Sequence, residues 1–304
     1  MANHDDYGPS DVKGLETGGM RTKGVIRESL AGKPLISVIT VVYNSDKFLE
    51  EAIRSVFNQE YDNIEYLIID GGSTDGTLDI IRKYQDRIDH WVSEPDNGIY
   101  DAMNKGIALA SGDLIAFLNS DDRYEPGALE QVARAYVDQA NQDVVIAGKW
   151  NLLFEDSDLV INASPSLRFH TGMPISHQAM VVPKKVYENH KGFNTAYRFA
   201  ADLDLVVRLY VNKGRFLFID AVIVSFRTFG ASDKHYRDSV REASAIIRKN
   251  LPRRTYMAYK LLSNKYIALA SLSKERKRIF GGKAIGRFEK AYFKLKAFYS
   301  RYWA

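Results

Sequence analysis

Three carboxylates stand where apolar runs of the chain end. Asp121 and Asp122 follow Leu114-Ile115-Ala116-Phe117-Leu118, which gives way to Asn119-Ser120-Asp121-Asp122-Arg123. Asp70 closes Tyr66-Leu67-Ile68-Ile69 and opens the turn Gly71-Gly72-Ser73-Thr74-Asp75-Gly76. Short apolar runs ended by Gly/Asp/Ser clusters read as buried strands of a parallel sheet. Ligands of open α/β sheets bind in the crevice beyond the carboxyl ends of such strands. Acidic groups at two strand ends therefore suggest a polar ligand held partly through a hard, oxygen-seeking metal ion. Taken alone, Asp-Asp is equally well a turn or helix-capping pair. Asp70 and the strand context favour the ligand-binding reading.

The elements that must position these residues follow a regular pattern from Pro34 onward. A strand over 35–42 ends at Tyr43-Asn44, and Ser45 is placed to cap a helix over 46–59 with Phe48, Leu49, Ile53, Val56 and Phe57 at helical spacing. A strand over 64–70, a helix over 77–84, an extended piece at Trp91-Val92 and a helix over 99–110 come next. A strand over 113–119 follows Gly112, Pro126 opens a helix reaching about residue 140, and 144–147 is a strand. Beyond Lys149 come a polar loop at 155–158, an antiparallel strand over 159–161, a loop at 172–178, a strand over 179–182, a helix over 200–212 and one or two strands within 216–226. Alternating strands and helices with short links imply an α/β, doubly wound, mostly parallel sheet.

Composition bounds the function. A chain of 304 residues can hold one large α/β domain with an appendage, or two small domains. The absence of cysteine excludes disulfide scaffolds, thiolate metal sites and cysteine nucleophiles. No apolar run approaches the roughly 18 residues that span a bilayer, and the polar N-terminus lacks a secretory segment. A cytoplasmic, non-spanning protein is expected. Residues 1–231 carry 23 Lys+Arg against 33 Asp+Glu, whereas residues 232–304 carry 19 against 5. An acidic body thus ends in a basic tail, which suits an anionic partner. The organisation expected is a mobile arm over 1–33, a catalytic domain over 34–230 and a basic amphipathic helical tail over 231–304.

The stretch Ile36-Ser37-Val38-Ile39-Thr40-Val41-Val42-Tyr43-Asn44, then Asp70-Gly71-Gly72-Ser73-Thr74-Asp75-Gly76-Thr77, then Asn119-Ser120-Asp121-Asp122 resembles the nucleotide-sugar-binding half of family 2 glycosyltransferases. The segment Glu94-Pro95-Asp96-Asn97-Gly98-Ile99-Tyr100-Asp101-Ala102-Met103-Asn104-Lys105-Gly106 is similar to a branch common in bacterial surface-polysaccharide biosynthesis. His177-Gln178 and Ala200-Ala201-Asp202-Leu203-Asp204-Leu205 fit the acceptor half, so the resemblance covers about residues 34–229. It implies the GT-A fold, a Rossmann-like sheet flanked by helices, here with a C-terminal helical basic tail.

The resemblance also implies roles. Transfer of a sugar from a nucleoside diphosphate to a hydroxyl leaves a diphosphate whose developing charge Mn²⁺ or Mg²⁺ would neutralise. Asp122 would be the metal ligand, and Asp121 would contact the ribose or assist the metal. Asp70 would contact the nucleoside, with Val41, Tyr43 and Asn44 lining the pocket. Many relatives carry a second acidic residue where this chain has Gly71, so UDP is favoured without being fixed. Asn104 and Lys105 would face the nucleotide, although Lys105 is equally a solvated helix residue. Asp202 would be the base of an inverting reaction, taking the acceptor's proton. Asp204 is spaced i,i+4 to Arg208, a helix ion pair. His177 and Gln178 would lie near the acceptor, a glycan or lipid-linked saccharide. A plain hydrogen-bonded or metal-ligating His177 stays open.

The tail interleaves aromatic with basic residues over 251–262 and 288–303. Such a helix suits the interface of an anionic membrane, placing the enzyme at the inner face of the cell membrane. Packing on the catalytic domain is the other reading. No nucleic-acid-binding motif is present. Two rival functions remain: a catalytically silent membrane- or nucleic-acid-binding protein on this fold, and a sugar-nucleotide nucleotidyltransferase. The latter would want a basic Gly-rich loop where this chain has Tyr43-Asn44-Ser45.

Overall fold

The computed structural model describes residues 15–139, 143–154, 157–163, 165–227 and 235–264. Its strands in chain order are β1 (Glu16–Gly18), β2 (Ile36–Val42), β3 (Ile64–Asp70), β4 (His90–Ser93), β5 (Leu114–Asn119), β6 (Arg123–Tyr124), β7 (Val144–Phe154), β8 (Ser157–Ala163), β9 (Met180–Pro183) and β10 (Arg215–Arg227). The helices that position the site are α1 (Leu49–Phe57), α2 (Thr77–Tyr84), α3 (Ile99–Leu109), α4 (Ala128–Asp138), α5 (Lys184–Asn189), α6 (Ala201–Val211) and α7 (Tyr236–Asn250).

One sheet runs β1-β4-β3-β2-β5-β9-β7-β10-β6, with β8 paired to β7. The four strands β4, β3, β2 and β5 are parallel, as is the β7–β10 pair. β9 enters antiparallel between β5 and β7, so the second half of the sheet is mixed. Both faces are covered because β-strand side chains alternate. Ile36, Val38 and Val42 point to a core under α1, α2 and α4, while Ile39 and Val41 point to a core under α3, α6 and α7. β2 adjoins β3 on one side and β5 on the other. Its carboxyl end is therefore the switch point at which α/β sheets open a ligand crevice.

Several boundaries differ from the sequence expectation, each for a local reason. α1 begins at Leu49 and Ser45 does not cap it by its side chain. The Ser45 N–H instead donates to Thr77 Oγ1 at 2.9 Å, which draws residues 45–48 into a turn. α4 begins at Ala128, because Gly127 takes a left-handed φ of 69° and separates Pro126 from the helix. β7 runs on to Phe154, since β10 and β8 flank it and pair its polar residues.

The two terminal segments also depart from expectation. From Leu15 the stretch expected as a mobile arm is docked. β1 pairs with β4, Arg21 forms an ion pair with buried Glu65, and Arg27 meets Asp89 at 2.7 Å. At the other end the boundary near residue 231 does not separate a free tail. Ala243, Ile246, Ile247 and Leu251 of the α7 region, with Tyr259 from the helical residues 253–264, belong to the same core as α3 and α6. The aromatic-basic stripe expected over 288–303 lies outside the described residues.

Candidate active site

The turn after β2 carries Tyr43 and Asn44. Tyr43 stands 63% exposed, an uncovered aromatic ring at the crevice. Asn44 adopts φ 49°, a left-handed conformation that Asn tolerates better than most residues. It ties the β2 and β3 turns together: its N–H donates to Ser73 Oγ at 2.8 Å, and its Oδ1 accepts from the Thr74 N–H at 2.9 Å. Val41 packs in the core beneath the crevice rather than lining it.

Asp70 is fully buried and turned inward. Its carboxylate accepts from the N–H groups of Gly72 and Ser73 at 3.2 and 3.0 Å and from the hydroxyls of Ser73 and Ser93 at 2.5 and 2.6 Å. Four donors on one carboxylate fix the shape of the Gly71-Gly72-Ser73 turn. Asp70 thereby shapes the loop that a nucleoside bound at this end of the sheet would meet.

Across the switch point, Asp122 is 3% exposed. Gln178 Nε2 donates to its Oδ2 at 2.7 Å and the Arg227 N–H to its Oδ1 at 2.9 Å. Burial, and then the neighbouring charge of Asp121, push the Asp122 carboxyl well above the usual carboxylate range, and Gln178 and Arg227 only partly offset this. Such a carboxyl gains from a nearby cation. Each of its oxygens keeps a lone pair beyond the one already used. Among the described residues no three His, Asp or Glu side chains converge as a metal cage. The donor set therefore fits a hard cation that uses one or two carboxylates and completes its shell with waters and substrate phosphate oxygens.

Asp202 lies in the first turn of α6. Its Oδ1 accepts from the Tyr100 hydroxyl at 3.1 Å and from the Leu203 N–H at 2.8 Å, and its Oδ2 lies 3.3 Å from His177 Nδ1. Burial, and then the Asp202 charge, hold the Tyr100 phenol well above its ordinary pKa, so it stays a donor. Asp202 is not the cap of its helix. That position belongs to Ala200, and Glu242 of α7 accepts the N–H groups of Arg198, Phe199 and Ala200 at 3.0, 2.8 and 3.0 Å. Asp204 pairs with Arg208 at 2.7 Å, as its spacing requires.

The dipeptide His177-Gln178 joins the two halves. His177 reaches Asp202, while Gln178 holds Asp122 and accepts the Asn119 N–H at 2.8 Å through Oε1. Consecutive residues therefore bring the two carboxylates into one crevice. His177 Nε2 is buried and makes no hydrogen bond among the described residues. Gln178 is 3% exposed, so it braces Asp122 instead of offering itself to an acceptor.

Asn104 and Lys105, expected to face the nucleotide, each have partners within the fold. The Asn104 amide donates to the Phe193 carbonyl and accepts from the Phe193 N–H, both at 2.9 Å, tying α3 to the loop before α6. Lys105 Nζ reaches Glu94 at 2.8 Å, the Pro95 carbonyl at 3.2 Å and Asp101 at 3.7 Å, and so braces the loop before α3.

Four contributors had no assignment from sequence. Arg227 ends β10, donates to the Asp121 carbonyl, pairs with Glu51 at 2.6 Å and stacks over Phe48 at 4.4 Å. Its one sequence signal was a basic residue closing the last strand. Tyr100 and Ser93 lie within recognisable elements and carry no local signal of their own. Glu242 lies 40 residues beyond the side chain it supports and carried no local signal.

Paired aspartates after β5 and a braced carboxylate at the head of α6 thus stand near the switch point of a mixed α/β sheet. Residues 37–199 match the family model described as glycosyl transferase family 2, and the chain belongs to that family. An uncharacterized glycosyltransferase of Mycobacterium tuberculosis is 34% identical over 187 residues, covering 59% of this chain and 70% of the relative. A PGL/p-HBAD biosynthesis glycosyltransferase of the same species is 28% identical over 210 residues, covering 65% and 78%. Among solved structures, the mannosyltransferase PcManGT from Pyrobaculum calidifontis, in complex with GDP-Man and Mn²⁺, superposes with a TM-score of 0.59 at 17% identity, covering 86% of this chain and 80% of that one. S. aureus TarS in complex with UDP-GlcNAc gives 0.56 at 17% identity, covering 84% and 78%. The protein is a glycosyltransferase with the GT-A architecture.

Proposed function

We propose that this enzyme transfers a sugar, with inversion at the anomeric carbon, from a nucleoside-diphosphate sugar to a hydroxyl of a glycan or lipid-linked saccharide of the bacterial surface. The observation that carries the reading is the grip of adjacent residues His177 and Gln178 on Asp202 and Asp122. It sets a proton acceptor and an anion-neutralising carboxylate site against one another across a single crevice.

Asp122, with Asp121 beside it, would hold Mn²⁺ or Mg²⁺, as the Mn²⁺ complex of PcManGT also suggests. When bound, that ion would supply positive charge to the departing diphosphate. The chain's own work is orientation and proton transfer. The acceptor oxygen attacks the anomeric carbon from the face opposite the diphosphate, the carbon–oxygen bond to the diphosphate breaks with its electron pair, and the hydroxyl proton passes to Asp202. Tyr100, His177 and the Leu203 N–H fix the direction of that carboxylate before the acceptor arrives. His177 Nε2 is buried and makes no hydrogen bond among the described residues, so the ring's part is to orient Asp202 through Nδ1. Tyr43 offers a stacking face to the base, and UDP is the favoured carrier.

Peripheral contact with an anionic membrane at the cytoplasmic face belongs to the same reading. No helix among the described residues is long and apolar enough to cross a bilayer. A groove of about 420 Å³ between α7 and the helical residues 253–264 is lined by Arg237, Arg241, Arg248 and Lys260, a basic surface suited to anionic headgroups.

The test is donor turnover across UDP-, GDP- and dTDP-sugars with Mn²⁺ or Mg²⁺, followed by NMR of the product's anomeric centre. One donor class should be consumed and the new linkage should be inverted. Asp202→Asn should lower kcat by roughly 10² to 10⁴ while leaving nucleotide binding intact. Retained configuration, or unchanged transfer by Asp202→Asn, would remove the base assignment.

A further inference from the structure

Gly71 is a glycine without a conformational need for one. Its φ lies outside the left-handed region, whereas Gly72 beside it takes φ +81° and does need the freedom. What position 71 lacks is space. A Cβ built there would collide with the Asp96 carboxylate and approach the Tyr43 ring at 3.5 Å. A carboxylate from a different loop therefore fills the place that a side chain at 71 would take, next to the exposed aromatic ring.

That carboxylate is held ready. Its Oδ1 accepts the Gly98 N–H at 2.8 Å, an Asx turn at the start of α3. Its Oδ2, the atom nearest the Gly71 position, accepts no hydrogen bond among the described residues. The flanking loop is braced on both sides of Asp96, by Lys105 on Glu94 and the Pro95 carbonyl and by the Asn97 N–H on Asp101 at 3.0 Å. Asp70, which opens the turn over 71–76, is buried with its oxygens occupied, and Asp75 of that turn accepts the Thr77 and Asp46 N–H groups. The uncommitted acceptor at this corner is thus Asp96 Oδ2.

We propose that Asp96 reads the nucleotide's base: a flat base stacked on Tyr43 donates its ring imino N–H to Asp96 Oδ2, and Gly71 is kept free of a side chain so that this carboxylate can stand there. The proposal rests on the crevice being a nucleotide-sugar site. A carboxylate is only an acceptor. It therefore selects bases that present a ring N–H, the uracil or guanine class, and rejects cytosine, whose equivalent ring nitrogen carries a lone pair.

The chemistry of Asp96→Asn makes a sharp test. Asn keeps an oxygen for the Gly98 N–H and turns an NH₂ toward the base, reversing donor and acceptor. Calorimetric titration of wild type and variants with UDP, GDP, CDP and ADP in the presence of Mn²⁺ reads the outcome, with UDP and GDP arms separating the two ring N–H bases. Wild type should bind UDP or GDP and discriminate against CDP. Asp96→Asn should weaken the preferred nucleotide by at least about tenfold and move the preference toward CDP. Asp96→Gly should lose discrimination, and the double variant Gly71→Asp/Asp96→Gly, which returns a carboxylate from the other loop, should restore it. If the preferred nucleotide binds but its ratio to CDP is the same in Asp96→Asn, or all four weaken equally, the base-reading role falls while the glycosyltransfer reading stands. If wild type binds none of the four, both fall.

Discussion

At the scale of single residues, the crevice sorts carboxylates by where they are buried and what already binds them. Sequence spacing located Asp70, Asp121, Asp122 and Asp202 at the right strand and helix ends, because apolar runs and turn residues mark those ends plainly. It could not tell inward from outward. Asp70 turns into the fold and spends itself on Ser73 and Ser93, while Asp96 takes the outward place. For Asn104 and Lys105 a helix period gives the face, and only the packed structure adds that Phe193 and Glu94 are their partners there. Asp122 yields a pH prediction. Burial and Asp121 raise its pKa, and a cation requires the ionised form. The proton must leave before the ion binds. Mn²⁺ affinity should therefore rise with pH, about tenfold per unit below the raised pKa, and flatten above it, with proton release on binding. Calorimetry in buffers of differing ionisation enthalpy measures this, and Asp122→Asn should abolish both the release and the slope.

At the scale of elements, the parallel strands were readable because short, mostly apolar runs ended by turn residues have few other ways to be buried. β3 and α2 occur at the residues expected. Element ends were less legible, since they depend on partners distant in sequence, such as Thr77 for Ser45 and β10 for β7. The helix carrying Asp202 is the functional case. The loop that leads into it, residues 198–200, is held from another helix, by Glu242 on α7. Glu242→Ala should cost about 1 kcal/mol, the usual net worth of such a hydrogen-bonded anchor, and lower Tm by roughly 2–4 °C in a domain of this size. It should also lower kcat with little change in donor KM, because α6 aims Asp202 without touching the nucleotide. Glu242→Gln, which keeps an acceptor, should recover most of both in thermal melts and steady-state assays.

At the scale of the whole molecule, the charge asymmetry was legible and the boundary drawn from it was not. Charge changes near residue 231, yet burial continues to Tyr259. Ile246 and Ile247 are fully buried and Leu251 nearly so, each worth roughly 2 kcal/mol against a total stability of only about 5–15. Truncation after residue 232 should therefore abolish soluble folded protein. Truncation after residue 264 removes none of these buried residues and should retain turnover of a soluble acceptor. Sedimentation with anionic liposomes then tests whether the basic groove binds such a surface and whether residues 265–304 change the result. The opposite end of the chain has its own consequence. β1 covers the outer side of β4, and Arg21 neutralises Glu65, which is fully buried among Ser37 and Ser111. A fragment trimmed to the family-matched start at Ser37 would bare an unprotected strand edge and strand a negative charge inside the protein. Residues 15–33 thus act as a sealing strip that keeps the sheet from pairing with another molecule's, a property of solubility carried outside the segment that defines the family.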